Sequence, residues 1–190
     1  MRTFFFRHRG PMKQNKIIIG AGQTRYDGWI ATQLDTLDAK NPADWQAILQ
    51  GQRADRVLAE HVFEHLTEAQ THEALKNIAA ILSPKGMLRI AVPDGYHPDP
   101  EYIDYVRPGG TAPGADDHKI LYTYKTLSAV IEQADLQVRL IEYFDEKGCF
   151  HAVPWRYEDG HIMRCAALDG RNKDRPYSFT SLIADITLPV

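Results

Sequence analysis

Apolar positions along the first half of the chain fall into short unbroken runs and one long stretch with a helical repeat. "KIIIG" (16–20) is a β-branched run closed by glycine, the mark of a strand buried on both faces, and Gly20-Ala21-Gly22 must then turn. "GWIATQLDTLDA" (28–39) holds enough apolar and β-branched residues for one or two short strands. Asn41-Pro42 supplies a cap and a first-turn proline for a helix through "ADWQAILQ". "ADRVLAEHV" (54–62) reads as a second buried strand. Thr67 then opens an amphipathic helix in which Leu75, Ile78, Ala79 and Leu82 recur at i, i+3, i+4 and i+7. Ser83-Pro84-Lys85-Gly86 stops that helix, and "MLRIAVPD" (87–94) is a third strand. Strand, helix and strand in this order predict a right-handed, parallel βαβ unit.

The periodicity lapses from Gly95 to about Lys119, a segment rich in Pro, Gly, Asp and Tyr that carries Tyr96, His97, Tyr102 and Tyr105. Loops of that length in a compact domain are commonly functional, and a lid over residues 95–119 is expected. A helix resumes over 123–135, followed by strand-like sequence over 136–145 and a last strand in "FTSLIADITL" (179–188). The sum is an open α/β sheet, mostly parallel, whose last two strands form an antiparallel pair across a long connection.

Size and charge narrow the function classes. A chain of 190 residues fits one domain, expected over 16–190, with residues 1–15 as a flexible N-terminal arm or an over-long start ahead of Met12. With 25 acidic against 22 basic side chains, nothing gathers nucleic acid or an anionic membrane non-specifically. Cys149 and Cys165 are the two cysteines, and no apolar stretch approaches the roughly 20 residues needed to span a bilayer. A cytoplasmic protein acting on a small molecule is the expectation.

Candidate chemistry clusters where the strands end. Glycines at 20 and 22 let a backbone approach a ligand, but the third glycine is Gly28, so G-x-G-x-x-G is incomplete and a plain turn explains the pair equally well. His61-Val62-Phe63-Glu64-His65 satisfies H-x-x-E-H, in which two histidines on one helix face bind zinc and the glutamate acts as base. That motif belongs inside a helix, whereas here it follows the probable strand end Val57-Leu58-Ala59, so zinc hydrolysis stays an alternative. Ligands of open α/β sheets sit outside the carboxyl ends of strands. Gly20 to Gly22, Gln33 to Asp38, Glu60-His61 and Pro93-Asp94 all fall at such ends. His61 is the first candidate base because imidazole titrates near neutral pH, and His118 in "ADDHK" is the second. The bland alternative leaves His61 and His65 as helix-start residues satisfied by the backbone. Asp94 either holds substrate or stabilises the Asp94-Gly95 turn.

The segments "KIIIGAGQTRYDGWIATQ", "ADRVLAEHVFEHLT", "LKNIAAILSPKGMLRIAVPDG", "HKILYTYKTLSAVIEQADLQVRLIEYFDE" and "SLIADI" resemble a group of class I, Rossmann-like S-adenosylmethionine-dependent methyltransferases, over nearly the whole chain from Lys16. The resemblance implies a sheet with helices on both faces, in a lean version with little room for the usual helix and strand between the second and fourth strands, and an antiparallel last strand. It implies that S-adenosylmethionine binds through Gly20, Ala21, Gly22, Ala59 and Glu60, and that Glu64-His65-Leu66 borders the methyl-transfer cleft. Two positions depart from the pattern. Ile18 stands where an acidic or amide residue is usual, and Gln33 where many relatives carry a ribose-binding aspartate, with Asp35 and Asp38 as nearby substitutes. A small-molecule or sugar-like acceptor is then expected beneath the 95–119 segment, near Glu64, His65, Asp94, Tyr96 and His97. A protein that keeps the fold for binding or assembly without catalysis is the other alternative.

Overall fold

The computed structural model describes residues 14–189. The N-terminal arm expected over 1–15 lies mostly outside them, and Asn15, inside them, is tied by its backbone N–H to Asp55 Oδ2 at 3.0 Å. Seven strands, β1 (Lys16–Ile19), β2 (Trp29–Ala31), β3 (Ala54–Glu60), β4 (Leu82–Pro93), β5 (Gln137–Phe144), β6 (Phe150–Ala152) and β7 (Ser181–Thr187), form one sheet in the order β2-β1-β3-β4-β7-β5-β6. β1 to β5 share one direction, while β7 enters between β4 and β5 antiparallel to both and β6 pairs antiparallel to β5. The expected parallel unit is β3, helix α2 (Glu68–Ile81) and β4.

Local chemistry explains where the elements start and stop. Asn41 caps α1 (Pro42–Leu49) by accepting the Ala43 N–H, with Pro42 in the first turn as expected. Thr67 and Gln70 form a reciprocal capping box on α2, and Thr123 caps α4 (Tyr124–Glu132) in the same way. α2 ends one residue before the expected stripe does. Leu82 already has extended backbone and pairs with Ala54, so β4 begins there and absorbs Ser83 to Gly86 as a register shift. Glycine is required at the shift, since a Cβ on Gly86 would lie 2.8 Å from the Ala54 carbonyl.

The two faces of the sheet are covered unequally, which corrects the expectation of helices on both. On one face Ile17, Ile19, Val57 and Leu88 pack against Trp45 of α1, Leu75 and Ile78 of α2 and Leu127 and Ile131 of α4. On the other, Ile18, Leu58, Ala91 and Ile183 are covered by Ile162, Cys165 and the partly buried Trp155 and Leu168, from a stretch of coil and 3-10 turns. The cause is the β1–β2 connection. Gly20 to Gly28 is too short to hold a crossover helix, and Thr32 closes it by donating its backbone N–H and its hydroxyl to the Ile18 carbonyl. Only α1 separates β2 from β3, so the sheet stops at β2, the lean form that the sequence implied. Among the described residues no helix is long and apolar enough to cross a membrane.

Candidate functional site

The carboxyl ends of β1, β3 and β4 open into one cavity of about 590 Å³, within the range of small-molecule sites. Its wall is built from Gly20 to Thr24 after β1, from Glu60, His61, Glu64 and His65 after β3, and from Pro93 at the end of β4. The 95–119 segment closes the opposite side with Tyr102, Tyr105, Val106, Pro113 and His118, and the 160–181 stretch adds Met163, Arg164, Arg171, Phe179, Thr180 and Ser181. The segment is not the irregular loop its composition suggested. Asp99 caps a short helix, α3 (Pro100–Val106), with proline at its start.

Close packing fixes the rim. Gly20 and Gly22 have φ of +59° and +53°, and a Cβ on Gly20 would lie 2.8 Å from Val62 Cγ2, so this turn accepts glycine alone without displacement. His61 also has positive φ, +55°, uncommon for a residue with a Cβ and characteristic of functional corners. The turn aims its ring inward. Nε2 lies 2.9 Å from Ser181 Oγ, and Nδ1 lies 3.0 Å from Glu64 Oε1, at ion-pair distance but off hydrogen-bond alignment.

Glu64 has no solvent exposure, and neither carboxylate oxygen has a hydrogen-bond partner among the described residues. Burial pushes its pKa upward, but the neighbouring His61 imidazole, with a smaller contribution from His65, outweighs burial and holds the carboxyl below its ordinary range. His65 and His118 meet edge to face at 4.8 Å beside it. His118 Nδ1 donates to the Val106 carbonyl at 2.7 Å and His65 Nδ1 to Asp117 Oδ2 at 3.3 Å.

The structure thus gathers Gly20, Ala21, Gly22, Glu60, His61, Glu64, His65 and His118 at one cavity. Other expected residues lie elsewhere. Gln33 spends its amide on the turn itself, accepting the Gly22 N–H at 3.3 Å and donating to the Gly22 carbonyl at 2.7 Å. Asp35 is exposed outside the lining, and Asp38 is paired with Lys40 Nζ at 2.8 Å. Ala59 is buried in the helix-covered core and is not part of the cavity wall. Tyr96 leans on Tyr124, and His97 stacks on the outer face of Tyr102 with its pKa lowered by burial.

Asp94 is a strut beside the cavity, not part of its wall. Its carboxylate accepts the Tyr96 N–H at 2.9 Å and the Phe144 N–H at 2.7 Å, joining the ends of β4 and β5. Its own N–H donates to the Tyr102 hydroxyl at 3.3 Å, and that hydroxyl donates to the Thr180 carbonyl. Burial outweighs both amide donors and raises the Asp94 pKa from 3.8 to about 6. The folded state therefore holds this proton more tightly than the unfolded chain, so the stability it contributes is full below pH 4 and is lost as pH rises through about 6. Urea midpoints measured from pH 4 to 7 should show this loss, at most about 3 kcal/mol, and Asp94→Asn should flatten it. An unchanged slope in the variant would assign the pH dependence to other groups.

Sequence reasoning missed Arg164 and the Thr180-Ser181 pair. The lost signal is strand direction: an antiparallel strand brings its first residue, Ser181, to the rim where parallel strands end. Arg171 also lines the wall, its guanidinium 4.0 Å from the centre of the Phe179 ring and paired with Asp169 at 2.6 Å. The Arg164 N–H donates to Glu60 Oε1 at 2.8 Å, leaving Oε2 of Glu60 free of that bond.

No protein-family profile and no curated protein matches the chain by sequence. Solved structures do match by fold. A structure of the Haloferax volcanii Trm112 methyltransferase activator in complex with a methyltransferase aligns with a TM-score of 0.55 at 14% identity, over 94% of this chain and 84% of that one. LepI in complex with S-adenosylmethionine aligns with a TM-score of 0.52 at 11% identity, and LepI with S-adenosylhomocysteine and a substrate analogue with 0.50 at 12%. The chain spans 36% of the length of LepI. At these identities the likeness is one of fold, and the fold is the Rossmann-like one of class I methyltransferases, as the sequence implied.

Proposed function

We propose that the protein binds S-adenosylmethionine in the rim cavity and transfers its methyl group to a small-molecule or sugar-like acceptor held under the 95–119 segment. One observation carries this reading: the Gly20–Gly22 turn, the Glu60-His61 strand end and the helix-bearing segment opposite them share a single cavity in a fold whose solved counterparts hold this cofactor.

The residues fit such a ligand. Gly22 has no atom within 4 Å of the place a Cβ would occupy, so the backbone there stays open to an approaching group. Glu60, with one carboxylate oxygen left by the Arg164 N–H, would put negative charge at the rim, which favours a cationic ligand. When bound, the cofactor supplies an electrophilic methyl group. The chain's share is to hold donor and acceptor in line, and His61, fixed between Ser181 and Glu64, is placed to take a proton from an acceptor hydroxyl or amine.

A second reading rests on Gln33, whose amide is consumed by Gly22 and is thus withheld from a ribose. It describes a chain that keeps the fold and has lost cofactor affinity. Crystals soaked with S-adenosylhomocysteine separate the two. The first expects density between Gly20–Gly22 and Glu60, and a rim with no density at saturating ligand favours the second.

A further inference from the structure

We propose that Glu64, His65 and His118 form a binding site for one divalent transition-metal ion, zinc above all, in the wall of the cavity. One ligand atom from each residue lies within 4.8 Å of the other two. Zinc at about 2.0–2.1 Å from each ligand in a tetrahedron needs them about 3.3 Å apart, so the widest pair would close by at most about 1.5 Å on binding.

Three independent features prepare the cluster for a cation. First, Glu64 is fully buried, and both its oxygens lack a hydrogen bond among the described residues. The His61 imidazole, 3.0 Å from Oε1, offsets the burial cost on that side, and Oε2, with no hydrogen bond among the described residues, is left for a bound cation. Second, both imidazoles are set in the ligating tautomer. The Val106 carbonyl only accepts, so His118 carries its proton on Nδ1 and the lone pair on Nε2; Asp117 orients His65 alike. A carbonyl or carboxylate behind each ring is the usual outer support of a metal-bound histidine. Third, all three residues line the cavity, which leaves a coordination position for water or an acceptor atom. Two imidazoles and one carboxylate suit zinc and its neighbours rather than magnesium or calcium.

The ligand set differs from the one the H-x-x-E-H spacing suggested. Residues 63–65 form a 3-10 turn rather than an α-helix, and His61 turns toward Ser181, so the two histidines of the motif do not share a face. The third ligand comes from His118, brought across the cavity when the Lys119 N–H bonds the Glu64 carbonyl at 2.7 Å. This site does not require methyl transfer: it stands on the ligand geometry, and zinc binding can be measured without S-adenosylmethionine.

The test is competition for zinc between untagged, chelator-stripped protein and a chromophoric chelator, alongside thermal melts with and without zinc. Wild-type protein should take up one equivalent and melt at higher temperature with zinc. Glu64→Gln, which preserves shape, and His118→Asn should each weaken zinc binding by at least about 100-fold and abolish the thermal shift, since each removes a direct ligand. His61→Ala should still bind one equivalent. If either ligand variant fails to fold without zinc, His65→Asn provides the same comparison. No uptake by wild-type protein, equal uptake by the ligand variants, or loss on His61→Ala with retention on His118→Asn would each overturn the site.

Discussion

Replacing Arg89 with methionine is expected to lower the free energy of unfolding by about 3–5 kcal/mol, because the change strands a buried charge. Arg89 is 1% exposed and Asp185 6%. The two stand directly opposite on β4 and β7, with Nε and Nη2 donating to the two carboxylate oxygens at 2.6 and 2.9 Å. Nη1 donates further to the carbonyls of Arg156 and Gly160, and the guanidinium lies 4.7 Å from the Trp155 ring. One side chain thus anchors the non-helical cover of the second face to the sheet. Methionine fills similar volume but leaves the Asp185 carboxylate and two carbonyls without donors. A double variant, Arg89→Met with Asp185→Leu, should recover much of the loss, since apolar replacement of a whole buried pair is often neutral. Urea denaturation of the single and double variants checks this. A single variant within 1 kcal/mol of wild type would mean that the pair is not the anchor described.

The largest effect on ligand binding is expected from Gly20→Val. A Cβ there would meet Val62 Cγ2 at 2.8 Å, and φ of +59° is a region β-branched residues avoid. Left-handed backbone costs a residue with a Cβ about 1–2 kcal/mol, and overpacking typically adds about 1–3. The turn relieves both by moving away from Val62, which displaces it toward the cavity it lines. Affinity for S-adenosylmethionine should fall by about tenfold or more, each tenfold being about 1.4 kcal/mol. Gly28→Ala is the control. Gly28 also has positive φ, +79°, but lies outside the cavity and has no atom near its would-be Cβ, so affinity should persist while stability drops. Equal affinity in wild type and Gly20→Val would remove the turn from the binding site.

Much of this was legible before any coordinates, wherever chemistry is local. Three consecutive isoleucines specify a buried strand, and Asn41 and Thr67 begin their helices as their hydrogen-bonding side chains dictate. Convergence of Gly20–Gly22 with Glu60-His61 followed from a rule about strand ends, and the cavity contains both. What failed depended on partners distant in sequence. Nothing near Gln33 announces that its amide folds back on Gly22, and nothing near Asp94 reveals that its carboxylate bridges to β5. His118 was noticed for its imidazole alone. Its neighbourhood with Glu64 and His65 arises from a backbone contact between Lys119 and Glu64, invisible to any local pattern.

An adenosyl cofactor seated in the rim cavity is the premise on which the proposed methyl transfer stands. Calorimetric titration of S-adenosylmethionine into metal-free protein of these 190 residues tests this most directly. Saturable heat fitting one site per chain is expected, accompanied by a rise in melting temperature. Absence of both heat and thermal shift at millimolar cofactor would contradict it.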